Sequence, residues 1–234
     1  LLLLLLLLLL KLLLLLLLLL HEGISSSLSK GEHVPPEVRV FCRGKAKLLL
    51  QDGPRSLRFV SSAIFTSKTD ALVLWDGAFL LDQREKQALR SPPFQLSGPE
   101  VEVACSGRGT FMAEVLTSGG MKIIGLTGSL NIESSRGKTS IQLRPGELRF
   151  VKPYGRGFGE LVHLNLETLV STAALIHEFP NDVNFETELA KAALEQRSLV
   201  TKRYRAQVGD SRTPETFELQ PLPERIKSPR PGSP

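Results

Sequence analysis

The chain has 234 residues, a formal net charge of +5 and 42% hydrophobic residues, but its composition is divided into two unequal parts. Nineteen of the first twenty residues are Leu, interrupted only by Lys11, and the remainder has the apolar and charged content of an ordinary soluble domain. These totals exclude a collagen, a disulfide-dense toxin and a polytopic membrane protein. Apolar residues that recur from Val38 to Leu199 argue against general disorder.

The first twenty residues predict a transmembrane helix. Twenty helical residues span about 30 Å, the thickness of the hydrocarbon core of a bilayer, and the leucines outweigh the cost of one buried Lys. The run is more uniform than natural membrane spans, which suggests that its letters stand in for unidentified apolar residues. A cleaved signal peptide and a buried soluble helix are the alternatives. Residues 21–37 are rich in Ser, Gly and Pro and predict a flexible stalk.

Short runs of strand-forming residues, each closed by turn residues, follow the stalk. Strict alternation of apolar and polar residues, as at residues 129–134, predicts antiparallel strands with one face in water. We therefore expect a mainly β domain over residues 38–165, built as a sandwich, a barrel or a β-helix. The predicted strands are residues 38–42, 46–50, 57–65, 71–75, 78–82, 94–97, 100–105, 110–116, 121–126, 129–134, 139–143, 147–151 and 161–165.

At Asn165 the period of the apolar residues changes from two to between three and four. Asn165 is placed as the N-cap of a helix that ends at Pro180, and a second helix follows Asn181 and Asp182. We expect these two helices to occupy residues 166–206. Residues 207–234 are polar and rich in Pro, which predicts an extended or disordered tail.

None of the common catalytic signatures is complete. Gly137-Lys138-Thr139 lacks the Gly that a phosphate-binding loop requires five residues earlier, and it leads into a predicted strand rather than a helix. The four His residues are not at metal-ligand spacing, and the sequence contains no Gly-x-Ser-x-Gly nucleophile elbow. The sequence therefore predicts a protein that is not an enzyme and that uses neither a metal nor another cofactor.

Two short segments are candidates for contact with a partner. In the first, Gly residues alternate with two aromatic residues and an Arg, which either face a partner or form a tight corner at the end of the sheet. The second is a basic patch after the second helix, suited to an acidic partner, to lipid headgroups or only to solvent. This patch is too short to predict nucleic-acid binding. The candidate residues are Tyr154, Arg156 and Phe158 in the first segment and Lys202, Arg203 and Arg205 in the second.

Cys42 and Cys105 are the two cysteines of the chain, and both fall in predicted strands. In an oxidising compartment they can form a disulfide between an early strand and a middle one. The alternative is two buried thiols that pack as small apolar side chains. Their separation in the sequence does not decide between the two.

Three segments in the middle of the chain have a recognisable pattern. Residues 107–111 form a step from Gly to Phe, residues 127–132 are Thr-Gly-Ser-Leu-Asn-Ile, and residues 141–147 close with Leu-Arg-Pro-Gly-Glu. Through these segments, residues 94–151 resemble the FecR-type periplasmic domain family. The shared motifs are structural turns, so the resemblance identifies no catalytic residue.

The resemblance implies an all-β domain of paired strands, β-helical or barrel-like, in the periplasm behind a single helix in the bacterial inner membrane. The best-known members relay the occupancy of an outer-membrane receptor to a cytoplasmic regulator of a sigma factor. This chain departs from them after residue 165, where two helices and a Pro-rich tail replace a receptor-facing α/β module.

We therefore expect a non-enzymatic, singly membrane-anchored bacterial envelope protein. Its FecR-like β domain is expected to bind other envelope proteins, as an accessory or structural subunit of a membrane complex. The alternative is a FecR-type transmembrane signal transducer that regulates a sigma factor.

Overall fold

The computed structural model of the chain describes residues 30–60, 62–134, 139–180, 183–203, 206–208 and 217–219. The predicted transmembrane helix at residues 1–20 and the first part of the predicted stalk, residues 21–29, lie outside these ranges. Within them, no helix combines the length and the apolar character that are needed to cross a membrane.

Nearly half of the described residues form strands and far fewer form helices, which confirms the prediction of a mainly β protein. Short 3-10 turns lie at Lys86–Leu89 and Pro153–Gly155. In chain order the strands of the main sheet are β1 (Arg39–Phe41), β2 (Lys47–Asp52), β3 (Arg55–Val60), β4 (Ile64–Lys68), β5 (Ala71–Asp76), β6 (Ala78–Gln83), β7 (Phe94–Ser97), β8 (Glu102–Val115), β9 (Met121–Ser134), β10 (Thr139–Leu143), β11 (Glu147–Val151) and β12 (Val162–His163).

The sheet is organised around a hairpin of its two longest strands, β8 and β9, with 14 residues each. On the outer side of β8, β7 pairs with the first half and β6 with the second half. The β1 branch runs from β7 through β5 and β4 to β1, and the β2 branch runs from β6 through β3 to β2. On the outer side of β9, β11 pairs with the first half and β10 with the second half, and β12 pairs with β11.

Side chains of the two branches face each other and form the main core. Phe59 on β3 stacks on Phe65 on β4, with ring centroids 3.9 Å apart and an interplanar angle of 9°. Arg55 on β3 lies over the ring of Phe94 on β7 at 5.6 Å. Neither pair of strands is joined by ladder hydrogen bonds. These contacts therefore cross from one branch to the other, as between the layers of a sandwich.

The structure corrects the predicted antiparallel, β-helical or barrel-like domain. The sheet is mixed, because β5 and β7 are parallel, with Leu72 opposite Leu96. It is not closed into a barrel, and its other pairings among the described strands are antiparallel, unlike the parallel coils of a β-helix. The parallel pair arises because β6, which follows β5 in the chain, belongs to the β2 branch. The chain then crosses back to the β1 branch, where β7 forms beside β5 in the same direction.

Glycines allow β8 and β9 to remain continuous where the sequence predicts breaks, between residues 105 and 110 and between residues 126 and 129. Gly109 lies opposite Gly128 in the ladder, and a bulge adjoins them. A Cβ atom built on either glycine would lie 2.2 Å from a carbonyl oxygen of the facing strand. The glycines therefore mark a close approach within the hairpin and not its end.

Three helices follow the sheet, and they are α1 (Leu166–Thr172), α2 (Ala174–His177) and α3 (Val183–Arg203). The predicted N-cap is present, since the Asn165 Oδ1 accepts a hydrogen bond from the Thr168 N–H at 3.1 Å. The first of the two predicted helices is divided, because Ala173 has an extended conformation between α1 and α2. The hydroxyls of Ser171 and Thr172 both donate to the Thr168 carbonyl and compete with helical hydrogen bonds there.

The helices cover one face of the β2 branch. Their apolar side chains form a second core with the β2 branch, the central hairpin and β11, and among the described residues this core includes none from β1, β4, β5 or β7. The Gln196 Oε1 on α3 accepts a hydrogen bond from the Leu166 N–H at 2.8 Å, and its Nε2 donates to the Gly146 carbonyl at 3.4 Å. This buried amide joins α3 to the start of α1 and to the sheet.

Part of the predicted tail at residues 207–234 is described as a strand pair. Strands β13 (Ala206–Val208) and β14 (Phe217–Leu219) are antiparallel, with Gln207 opposite Glu218. The rest of the predicted tail lies outside the described residues.

Of the two alternatives that the sequence leaves open for the cysteines, the structure has the second: Cys42 and Cys105 are buried free thiols and do not form the possible disulfide. Cys42 follows β1 and Cys105 lies on β8, with β4, β5 and β7 between them in the sheet. Neighbouring strands are about 4.8 Å apart, whereas a disulfide requires Cα atoms within about 7 Å. Burial raises the pKa of both thiols, that of Cys105 to about 12, although the Arg55 guanidinium acts to lower it.

We expect both thiols to resist alkylation by iodoacetamide at pH 8 in the folded protein, because only a thiolate reacts. With a pKa of about 12, Cys105 has a thiolate fraction of roughly 1 in 10,000 at this pH. In denaturant without reductant both thiols should react, as counted by intact mass. Two sulfurs that stay unlabelled in denaturant would instead reveal a disulfide.

Gly128→Ala is expected to lower the free energy of unfolding by about 2 kcal/mol more than Gly53→Ala does. Both glycines have a left-handed φ, 68° and 57°, so both variants carry a similar conformational penalty. Only the added Cβ at Gly128 meets a carbonyl, since nothing lies within 4 Å of one built on Gly53. Equal losses in denaturant titrations would show that the close approach does not constrain the hairpin.

Candidate protein-binding surface

Within the described part of the chain the outer face of the β1 branch is open, because the helical core includes no residue of β1, β4, β5 or β7. Along β1, Val40 is buried whereas Arg39 and Phe41 are exposed. Val40 lies opposite the buried Phe65, so these two side chains face the sandwich core. Since side chains alternate along a strand, Arg39 and Phe41 lie on the outer face.

Trp75 lies on the same face, because it alternates along β5 with the buried Leu72 and Leu74, and a bulge adjoins it. Two successive residues of β4 pair with Leu74 and Asp76, so Trp75 is the additional residue between them. The indole Nε1–H of Trp75 donates to the Thr66 Oγ1 at 3.1 Å, which holds the ring against β4.

Two arginines lie over aromatic rings at this face. The Arg39 guanidinium carbon is 4.6 Å from the ring centroid of Trp75, and that of Arg43 is 5.5 Å from the ring centroid of Phe41. Both rings remain accessible, since Trp75 is 39% exposed and Phe41 is 49% exposed. We refer to Arg39, Phe41, Arg43 and Trp75 as the Trp75 surface.

The chemistry of the Trp75 surface suits contact with a protein. Trp and Arg are enriched among the residues that contribute most to the free energy of protein–protein binding. An aromatic ring also supplies a large contact area with few rotatable bonds, so little conformational entropy is lost when it is buried. The hydrogen bond of Trp75 and the stacked arginines reduce this entropy further, because they already restrict the rings.

The sequence pattern places Trp75 in a predicted strand but does not identify it as a candidate partner-binding residue. The surface exists because β4 lies between β1 and β5, which brings positions 39 and 75 together. Nothing local in the sequence indicates this order. The available signal is that the single Trp of the chain stands directly before Asp76-Gly77, at the edge of a turn where apolar burial is incomplete.

The first predicted partner-binding segment lies at a tight corner. Tyr154 is 63% exposed with a positive φ of 59°, and its N–H donates to the Glu100 carbonyl at 3.0 Å. Arg156 is exposed, and Phe158 is partly buried and bridged to Val151. The backbone thus forms the corner that the sequence offers as one alternative. Contact of Tyr154, Arg156 and Phe158 with a partner stays a prediction.

The second predicted segment lies at the end of α3. Lys202 and Arg203 are the last two residues of that helix, and Arg205 lies outside the described residues. Binding of an acidic partner or of lipid headgroups by this basic patch therefore stays a prediction.

A polar groove lies between α3, the end of β6 and the middle of β8 and β9. Two adjoining cavities of about 490 and 480 Å³ have Arg84, Arg108 and Glu188 in common. Arg84 makes two hydrogen bonds of 2.8 Å to the Asp82 carboxylate and approaches the Glu188 carboxylate at 3.9 Å. The charge of Arg84 is thus already matched, and it joins the helix to the sheet rather than providing a site for an anion.

No three His, Cys, Asp or Glu side chains among the described residues are grouped as a metal site requires. Cys42 and Cys105 are separated by three strands of the sheet. The expectations that the protein uses no metal or other cofactor and that it is not an enzyme stay predictions.

No family model matches the chain, and no curated protein sequence matches it. Two crystal structures of a proposed anti-sigma factor from Parabacteroides distasonis ATCC 8503, at 2.50 and 1.65 Å resolution, are similar to part of it. Their sequence identities are 16% and 15%, and the TM-score is 0.39 for each. The match covers 53% of this chain and 58% of that protein, little more than half of either. The resemblance of residues 94–151 to FecR-type domains therefore stays a prediction.

Proposed function

We propose that this chain is a non-enzymatic, protein-binding component of the bacterial envelope. In this proposal, residues 1–20 form a single anchor in the inner membrane and the β domain lies in the periplasm. The Trp75 surface then contacts another envelope protein within a membrane complex. The open outer face of the β1 branch, with two arginines stacked on two accessible rings, is the observation that carries the proposal.

Energetic considerations support a binding role for this face. Apolar surface removed from water contributes about 25 cal/mol per Å², and two large rings on one face supply such surface in a compact area. The β1 branch is held rigidly by the sandwich core, in which the Phe59 and Phe65 rings stack. Binding to a surface that is already ordered loses less free energy to the ordering of side chains and loops.

We expect a photo-cross-linking amino acid at position 75 to capture a partner protein in the membrane of the source bacterium. The experiment uses the full chain with p-benzoylphenylalanine in place of Trp75, and mass spectrometry identifies the product. The control carries the same amino acid in place of Leu194, which is 70% exposed on α3. One discrete product from position 75 and none from position 194 is the expected result. Equal labelling at the two positions, or none at either, would contradict the proposal.

A FecR-type transmembrane transducer that regulates a sigma factor is the second candidate. It is supported by the FecR-like segments at residues 107–111, 127–132 and 141–147, which lie along the central hairpin and its β10 neighbour and in the turn that follows β10. The likeness to a proposed anti-sigma factor, at a TM-score of 0.39, is too distant to decide between the candidates. Deletion of the gene separates them, because only a transducer would alter transcription that depends on a sigma factor.

A further inference from the structure

We propose that the open edge of β1 binds an extended, acidic segment of the partner protein, which joins the sheet as an additional strand beside β1. This inference rests on the proposed protein-binding function and specifies how the Trp75 surface is used. Its three supports are the backbone of β1, the charges around it and the alternation of its side chains.

The backbone of β1 has hydrogen-bonding groups directed to an open edge. β1 ends the β1 branch, and no strand in the described part of the chain pairs with its other edge. The Cys42 N–H donates to the Ala63 carbonyl of the β4 side at 2.8 Å. Because every second residue of an antiparallel strand bonds to a given neighbour, Val40 also faces β4. The N–H and C=O groups of Arg39 and Phe41 therefore point to the open edge, which is the template for strand addition.

The charges around this edge favour an acidic partner segment. Two carboxylates of adjoining segments already have partners: Glu37 pairs with Lys68 at 3.2 Å, and Asp76 accepts a hydrogen bond from the Gly77 N–H at 2.8 Å. Three basic side chains on or just after β1 make no ion pair with any described residue, and they are Arg39, Arg43 and Lys45. Carboxylates on an incoming strand would supply the missing opposite charge.

The alternation along β1 specifies the pattern of that segment. A residue beside Val40 would extend the sandwich core and should be apolar. Residues beside Arg39 and Phe41 would lie on the outer face near the guanidinium groups and should be Asp or Glu. A second copy of β1 is a poor occupant, because it would bring Arg39 and Arg43 of both copies together without a carboxylate.

Trp75 provides a direct readout, because it is the single tryptophan in the chain and lies at the surface in question. The probe is a short, terminally capped peptide of alternating Glu and Val, titrated into the full chain in detergent. The matched control peptide has Lys in place of each Glu. We expect a saturable change in Trp75 fluorescence with the Glu peptide that weakens as salt is added, and none with the Lys peptide. Equal responses to both peptides, or none to either, would overturn the acidic assignment.

Two variants of one residue separate backbone pairing from side-chain contact. Phe41→Ala and Phe41→Pro both remove the ring, but only Pro removes the N–H directed to the open edge. Because the N–H of residue 41 makes no bond to β4, the ladder to β4 is retained, and unfolding midpoints check that both variants are folded. We expect Phe41→Pro to bind the Glu peptide about tenfold more weakly than Phe41→Ala. Equal affinities of the two folded variants would overturn strand addition.

Failure of this inference and failure of the proposed function give different results. Cross-linking from position 75, together with equal peptide affinities of the two Phe41 variants, would show a partner that binds through side chains without adding a strand. Absence of cross-linking would contradict the proposed protein-binding function itself. Sedimentation velocity tests for a second copy, since a dimer that is lost in Phe41→Pro but kept in Phe41→Ala would assign the edge to self-association and overturn the acidic partner.

Discussion

The close approach of β8 and β9 at Gly109 and Gly128 is the constraint on which the rest of the structure depends. Because no side chain separates the strands there, the hairpin accommodates a bulge without ending. Each long strand therefore has two halves with different neighbours, β7 and β6 along β8 and β10 and β11 along β9. The two branches, the core between them and the placement of the helices all follow from this division.

The two branches differ in what covers them, and this difference creates the candidate surface. On β6, Phe79 packs towards Phe111 in the sandwich core while Leu80 belongs to the helical core, so the strand is buried on both faces. The β1 branch has the sandwich core on one face alone. Its other face can therefore carry arginines and accessible rings, such as Trp75, without the cost of burying a charge.

Burial of charge does occur where the branches meet. The Arg55 side chain is 1% exposed, and its charge is compensated by the Asp70 carboxylate and the Pro92 carbonyl, with the Phe94 ring beneath it.

Local sequence patterns are sufficient to predict strands such as β10 and β11 and the N-cap at Asn165. They fail where a contact between residues far apart in the sequence determines the local structure. The predicted strand at residues 57–65 is interrupted, because the Ser62 N–H donates to the carbonyl of Cys42. Likewise, the Trp75 surface depends on the strand order, which is not encoded in adjacent residues.

The strand order also sets the sequence of events by which the chain can fold. The β8–β9 hairpin closes over a short turn, whereas β6 and β7 complete their pairing only against β8, which follows both in the chain. Closing these longer loops costs more entropy, and folds rich in such contacts form slowly. As the chain grows from the ribosome, β1 to β5 can form only isolated hairpins and ribbons until the central hairpin has emerged. Residues 39–97, about a quarter of the chain, must therefore wait with their apolar faces uncovered for the strands that will join the two branches.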